Sequence, residues 1–133
     1  MSKLLLIGVG GGIGAVLRYV LADGAHRIMS ANSLPPLPAG TLLVNVIGSL
    51  LLGFLAFALP AVSSLSPAAR MAILVGGLGA FTTFSTYAFE TVQLLNDGQW
   101  GLATGNFLLN NGLSLAAAWG GYRVAERFYG VIA

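Results

Sequence analysis

Apolar residues fill long stretches of this chain, and the polar positions gather in the gaps between them. A membrane-crossing helix needs about 20 consecutive, mostly apolar residues. Four stretches reach that length: about Leu4–Ala22, Thr41–Leu59, Met71–Leu95 and Leu102–Tyr122. The gaps hold residues that end helices. Pro35, Pro36 and Pro38 stand between the first two stretches, Ser63, Ser64, Ser66 and Pro67 between the next two, and Asn96, Asp97 and Gly98 before the last. The pattern predicts an all-α integral membrane protein: one domain over residues 1–133, with four transmembrane helices.

Composition supports that reading. The chain is 56% hydrophobic and 8% charged, against about 25% charged residues in soluble domains. A fold of this size leaves much of its surface outside any core, so lipid is the solvent that suits it. There is no cysteine and only one histidine, His26, which removes thiolate sites and histidine metal clusters. No nucleophile–base pair can be assembled, so an enzyme is not expected. The six basic residues are scattered, which gives no footprint for nucleic acid. Lys3 ahead of Leu4–Val9 has the look of a leader, but Arg18 interrupts it and the following segments are equally apolar; the stretch is read as the first span.

Four spans put both termini on one side, with Lys3, Arg70, Arg123 and Arg127; Arg27 lies on the other, with Arg18 near it. The positive-inside rule leans toward cytoplasmic termini, by a margin small enough to permit insertion either way round. Glycines four apart, Gly8 and Gly12, Gly10 and Gly14, Gly101 and Gly105, predict close helix contacts.

Polar side chains within spans are costly and face a partner or a water-filled path. Thr41, Asn45 and Ser49 share one face of the second helix, and Asn106, Asn110 and Ser114 one face of the fourth. Such stripes either clip helices together or line a pathway. The third helix reads Gly76-Gly77-Leu78-Gly79-Ala80-Phe81-Thr82-Thr83-Phe84-Ser85-Thr86-Tyr87. Its glycines and β-branched threonines are poor helix formers, and a break is expected near its middle, at Gly79 to Ser85. Broken backbone at membrane depth needs protein or a cavity around it, and its freed carbonyls suit a cation. Phe81, Phe84 and Tyr87 recur every three residues, with positive ring edges that suit an anion. Arg18 either draws anions to a vestibule or snorkels to headgroups. Glu90 either faces water, pairs with a base or carries protons.

Over nearly its whole length the chain resembles the small bacterial fluoride channels, the Fluc or CrcB family. The first-helix motif is Gly10-Gly11-Gly12-Ile13-Gly14-Ala15-Val16-Leu17-Arg18-Tyr19; the second-helix motif is Gly40-Thr41-Leu42-Leu43-Val44-Asn45-Val46-Ile47-Gly48; the third-helix motif is Gly79-Ala80-Phe81-Thr82-Thr83-Phe84-Ser85-Thr86-Tyr87. The resemblance implies an antiparallel, dual-topology homodimer in the bacterial inner membrane, with two fluoride pores. It implies a structural sodium ion at the dimer centre, on the backbone carbonyls of Gly79 and Thr82. It places Asn45, Phe84 and Tyr87 in the pore, and Asn110 with Asn106 one turn earlier on the fourth helix. Arg18 and Glu90 become vestibule residues.

The second pore aromatic is usually phenylalanine in this family, and here it is Tyr87, which adds a hydroxyl donor. The fourth helix is also unusually rich in asparagine. Fluoride is small and strongly hydrated, so Asn45, Asn110 and hydroxyls such as Ser85 are expected to replace its water. Flow is expected to be passive and outward under an inside-negative potential, which would relieve fluoride toxicity.

Two other readings compete. A small proton-coupled multidrug-type transporter also has four short helices, but needs a carboxylate in the first; only Arg18 is charged there, and Glu90 lies on the third. A non-transporting assembly subunit fits the glycines but has no need of ordered polar stripes.

Overall fold

The computed structural model describes residues 2–32, 37–61 and 64–130. Four helical stretches carry the described residues, and no strand occurs among them. Helix α1 is Ser2–Ala31 and α2 is Ala39–Ala61. Helix α3, over residues 67–81, joins an α-helical turn, Pro67–Met71, to a π-helical stretch, Ala72–Leu78, and a last α-helical turn, Gly79–Phe81. Helix α4 is Phe84–Asn96 and α5 is Trp100–Tyr129.

The helices outrun the apolar stretches that predict them. α1 continues past Ala22 because Asp23 and Arg27 pair one turn apart at 2.9 Å, an arrangement that supports an exposed helix. α5 continues past Tyr122, where Arg123 meets Glu126 at 2.6 Å and Arg127 complements the helix C-terminus. Ser66 caps α3, accepting from the Ala69 N–H at 3.2 Å, with Pro67 in the first turn. Gly98, at φ 73°, makes the turn into α5, a conformation side chains resist. Pro35, Pro36 and Ser63, expected in connections, lie outside the described residues.

By length and composition α1, α2 and the segment Pro67–Asn96 are apolar enough to cross a membrane. α5 is as long, with 30 residues, but Asn106, Asn110, Asn111 and Ser114 dilute its apolar character. Two of these turn inward: Asn106 and Asn110 are buried against α2 and α4. The outer surfaces are apolar instead, with Leu4, Val9, Ile13, Val16 and Tyr19 on α1 and Leu115, Trp119 and Phe128 on α5 more than half exposed. An apolar outside and a polar inside is the arrangement lipid selects.

Glycines set two close approaches. A Cβ at Gly10 would strike the Ala72 carbonyl, one at Gly14 the Gly77 carbonyl, and one at Gly76 the Ile7 carbonyl. α1 and the π-helical stretch therefore touch backbone to backbone. α2 and α5, the most extensive contact in the fold, approach the same way at Gly53 and Gly121. Gly8, Gly12, Gly101 and Gly105 have open space where a Cβ would stand. Of the three expected glycine pairs, only Gly10 and Gly14 serve a contact within one chain. The others lie on outer helix faces.

Candidate functional site

At Thr82 and Thr83 the backbone is extended, with ψ of 158° and 114°, and helical conformation resumes at Phe84. β-Branched residues tolerate this conformation well. Gly48 makes room for it: a Cβ there would collide with the Thr82 methyl and crowd the Phe81 ring.

Three of the backbone groups released at this point are taken up by specific partners. The Thr83 N–H donates to Asn45 Oδ1 at 2.8 Å, and Asn45 Nδ2 donates to the Thr83 carbonyl at 3.1 Å. Thr83 Oγ1 accepts from the Thr86 N–H at 3.2 Å, capping α4. In a continuous helix the Thr83 and Thr86 N–H groups would instead bond the carbonyls of Gly79 and Thr82. Both carbonyls have thus lost their helical donors, which makes them candidate oxygen ligands for a hard cation.

From Asn45 a line of amides runs into the bundle. Asn45 Nδ2 donates to Asn110 Oδ1 at 3.0 Å, Asn110 Nδ2 to Asn106 Oδ1 at 2.8 Å, and Asn106 Nδ2 to Thr91 Oγ1 at 2.9 Å. Thr91 Oγ1 donates in turn to the Tyr87 carbonyl at 2.8 Å. Every donor points the same way, so each bond polarises the next. The stripes of α2 and α5 therefore meet, at Asn45 and Asn110.

Two cavities flank this junction, and Thr83, itself buried, lines both. The first, about 420 Å³, is bounded by Arg18, Asp23, His26, Thr41, Thr86 and Glu90, among others. Thr41 donates to Glu90 Oε1 at 2.8 Å. Glu90 Oε2 is buried and has no hydrogen-bond partner among the described residues. Arg18 and Glu90 thus share one cavity. The second, about 290 Å³, includes Asn45, Ser49, Phe84, Tyr87, Asn110 and Ser114 in its wall. The Phe84 and Tyr87 rings meet edge to face, 5.3 Å apart at 66°. Phe84 is 75% exposed and Tyr87 5%.

Two expected pathway residues lie outside these cavity walls. Asn106 is 0% exposed, behind Asn110 and outside both cavity walls. Ser85 is exposed and lines neither cavity, its hydroxyl 3.4 Å from Thr83 Oγ1. Gly79 stands on the exposed surface next to the interruption. Thr83, Thr91 and Asn111 were not singled out by sequence. Thr83 is one of four hydroxyl residues among the five from Thr82 to Thr86, and its inward phase follows from the extended pair. Asn111 lies beside the expected stripe, and its partner, the Tyr87 hydroxyl at 2.8 Å, comes from α4.

Known proteins are similar to this chain over most of its length. The family described as "CrcB-like protein, Camphor Resistance (CrcB)" matches residues 5–122. A protein of Shewanella baltica (strain OS185) named "Fluoride-specific ion channel FluC" is 45% identical over 115 residues, covering 86% of this chain and 89% of its own. Proteins of the same name from Sulfurovum sp. (strain NBC37-1) and Geobacter sulfurreducens are 41% and 39% identical, each over 96% of this chain and over 96% and 99% of their own. With a match across the glycine-packed first helix, the Asn45 stripe, the interrupted third segment and most of α5, the chain belongs to the CrcB family.

Proposed function

We propose that this protein is a fluoride-selective channel that lets fluoride leave the cell passively and so lowers its toxicity. The observation that carries this reading is the Asn45–Thr83 junction, a hydrogen-bonded polar centre between two cavities in a bundle with an apolar exterior. The printed name of the relatives supplies the ion.

A dehydrated anion needs donors in place of its water. Asn45 Nδ2 now gives a proton to Asn110 Oδ1; an anion at that point would accept it instead, as a stronger, charged acceptor. Phe84 and Tyr87 present ring edges beside it. Arg18 draws anions to the first cavity, and Glu90 tempers that field. Asn110 is a wall residue, Asn106 supports it from behind, and Ser85 contributes where the exposed α4 terminus meets a second copy.

The active unit we propose is an antiparallel, dual-topology homodimer in the bacterial inner membrane, with all four helical stretches spanning it. Gly79, Phe84, Ser85 and Thr86 are exposed together around the interruption. Polar backbone and hydroxyls in that position need cover from lipid, and a second copy supplies it. The Gly79 and Thr82 carbonyls fit a structural sodium ion, since their helical donors are engaged elsewhere. One chain offers too few oxygens, and the second copy completes the set. The ion would hold the two interruptions together.

Fluoride efflux from liposomes holding the purified protein, with chloride efflux in parallel, tests the function. Rapid fluoride loss without chloride loss is expected; no fluoride loss from folded protein would sink the proposal. Cysteine labelling that found every copy in one orientation would count against the dimer.

A further inference from the structure

Tyr87 carries a hydroxyl whose proton is directed by its neighbour. Asn111 Nδ2 lies 2.7 Å from the Phe107 carbonyl and 2.8 Å from the Tyr87 phenol oxygen. A carbonyl only accepts, so the Asn111 amide must face it with nitrogen. That fixes the amide orientation, and the same nitrogen then donates to Tyr87. The phenol oxygen is therefore an acceptor in this pair. Its own proton has no acceptor among the described residues. Tyr87 and Asn111 both line the second cavity, where the Ser114 hydroxyl is also buried without a partner. Both hydroxyls suit an acceptor held in that cavity.

We propose that the Tyr87 hydroxyl is a direct anion donor in the second cavity, and that Asn111 is the positioning residue that keeps its proton turned inward. This rests on the channel reading above and adds a ligand to it. An amide hydrogen bond donated into the phenol oxygen polarises the O–H and strengthens its own donation. A hydroxyl at the end of such a pair favours the small, charge-dense halide over larger ones, because a short O–H contact replaces a water of hydration. The aromatic edge is kept, and a stronger donor is added beside it.

The test uses the purified full chain in liposomes, with initial fluoride and chloride efflux rates for the parent, Tyr87→Phe, Asn111→Ala and the double variant. Tyr87→Phe is expected to slow fluoride roughly tenfold, the size of one hydrogen bond to a charged group. Asn111→Ala should slow it less. The double variant should match Tyr87→Phe alone, because Asn111 acts only through the hydroxyl. Tyr87→Phe at the parent rate would overturn the proposal while leaving the channel reading intact. So would a double variant slowed by the product of the two single effects, which would give Asn111 a separate packing role. A parent protein with no fluoride efflux overturns both.

Discussion

Asn45 holds Thr83 by both ends of its amide, accepting from the N–H at 2.8 Å and donating to the carbonyl at 3.1 Å. One side chain thus satisfies both backbone groups of Thr83. Asn45→Leu keeps the size but orphans both, at about 1–3 kcal/mol each. A lowered melting temperature in detergent and loss of fluoride efflux are expected together. Asn45→Asp retains the acceptor, loses the donor and fixes a negative charge on the path, so efflux should fall further than stability. Unchanged melting for Asn45→Leu would mean that the amide is dispensable to the fold.

Gly48 is the other support of that conformation, since any Cβ there meets Thr82 and Phe81. Gly48→Val should lower the melting temperature and stop efflux by displacing the extended pair, at a cost of about 1–3 kcal/mol for overpacking. Gly12→Ala, which has open space around it, is the control and should leave both measurements near the parent values.

Substitution of Phe84 tests the proposed pathway separately from folding. Its ring is largely exposed in one chain and touches Tyr87 by edge contact. Phe84→Ile removes the positive ring edge while keeping an apolar side chain. Fluoride efflux should be abolished, with the elution volume of the protein unchanged on size exclusion. Normal efflux would take Phe84 out of the pathway.

The amide junction was legible because Thr41, Asn45 and Ser49, like Asn106, Asn110 and Ser114, repeat every four residues in apolar surroundings. Helical periodicity fixes their faces without any knowledge of tertiary contacts. The hydroxyl run was harder. Which of Thr82, Thr83, Ser85 and Thr86 turns inward depends on how far the chain rotates across two extended residues, and no periodic rule carries through such a point. Thr83 accordingly takes the place between the cavities, and Ser85 faces out. The π-helical stretch Ala72–Leu78 also lacks a compositional signature. Its glycine contacts with α1 become apparent only when the two backbones are brought together. Asn106 and Asn110 of α5 lower its apolar content although they are buried by α2 and α4.

The carbonyls of Gly79 and Thr82 lack the N–H groups that a continuous helix would give them, because Thr83 bonds Asn45 and Thr86 bonds the Thr83 hydroxyl. Oxygen ligands of this kind suit a hard monovalent cation. Replacing sodium with N-methylglucamine, too large to be coordinated, should lower the melting temperature of the purified protein and shift the proposed dimer toward monomer. Equal melting temperatures and elution in the two salts would remove these carbonyls from any sodium site.

Arg18 and Glu90 face the same cavity with opposite charge, and Glu90 is bonded through one oxygen to Thr41. Their effects on anion access should therefore have opposite signs. Arg18→Gln removes an attracting charge and should slow fluoride efflux several-fold at low ionic strength. Glu90→Gln removes a repelling one and should raise it, with the Thr41 contact preserved by the amide oxygen. Both effects should shrink as salt rises, since the Debye length falls from about 30 Å at 0.01 M to about 8 Å at 0.15 M. A salt-independent loss in Arg18→Gln would point to a positioning role for the guanidinium instead of attraction. Loss of efflux in Glu90→Gln would assign that carboxylate a direct part in transport, and would restore weight to a proton-coupled mechanism.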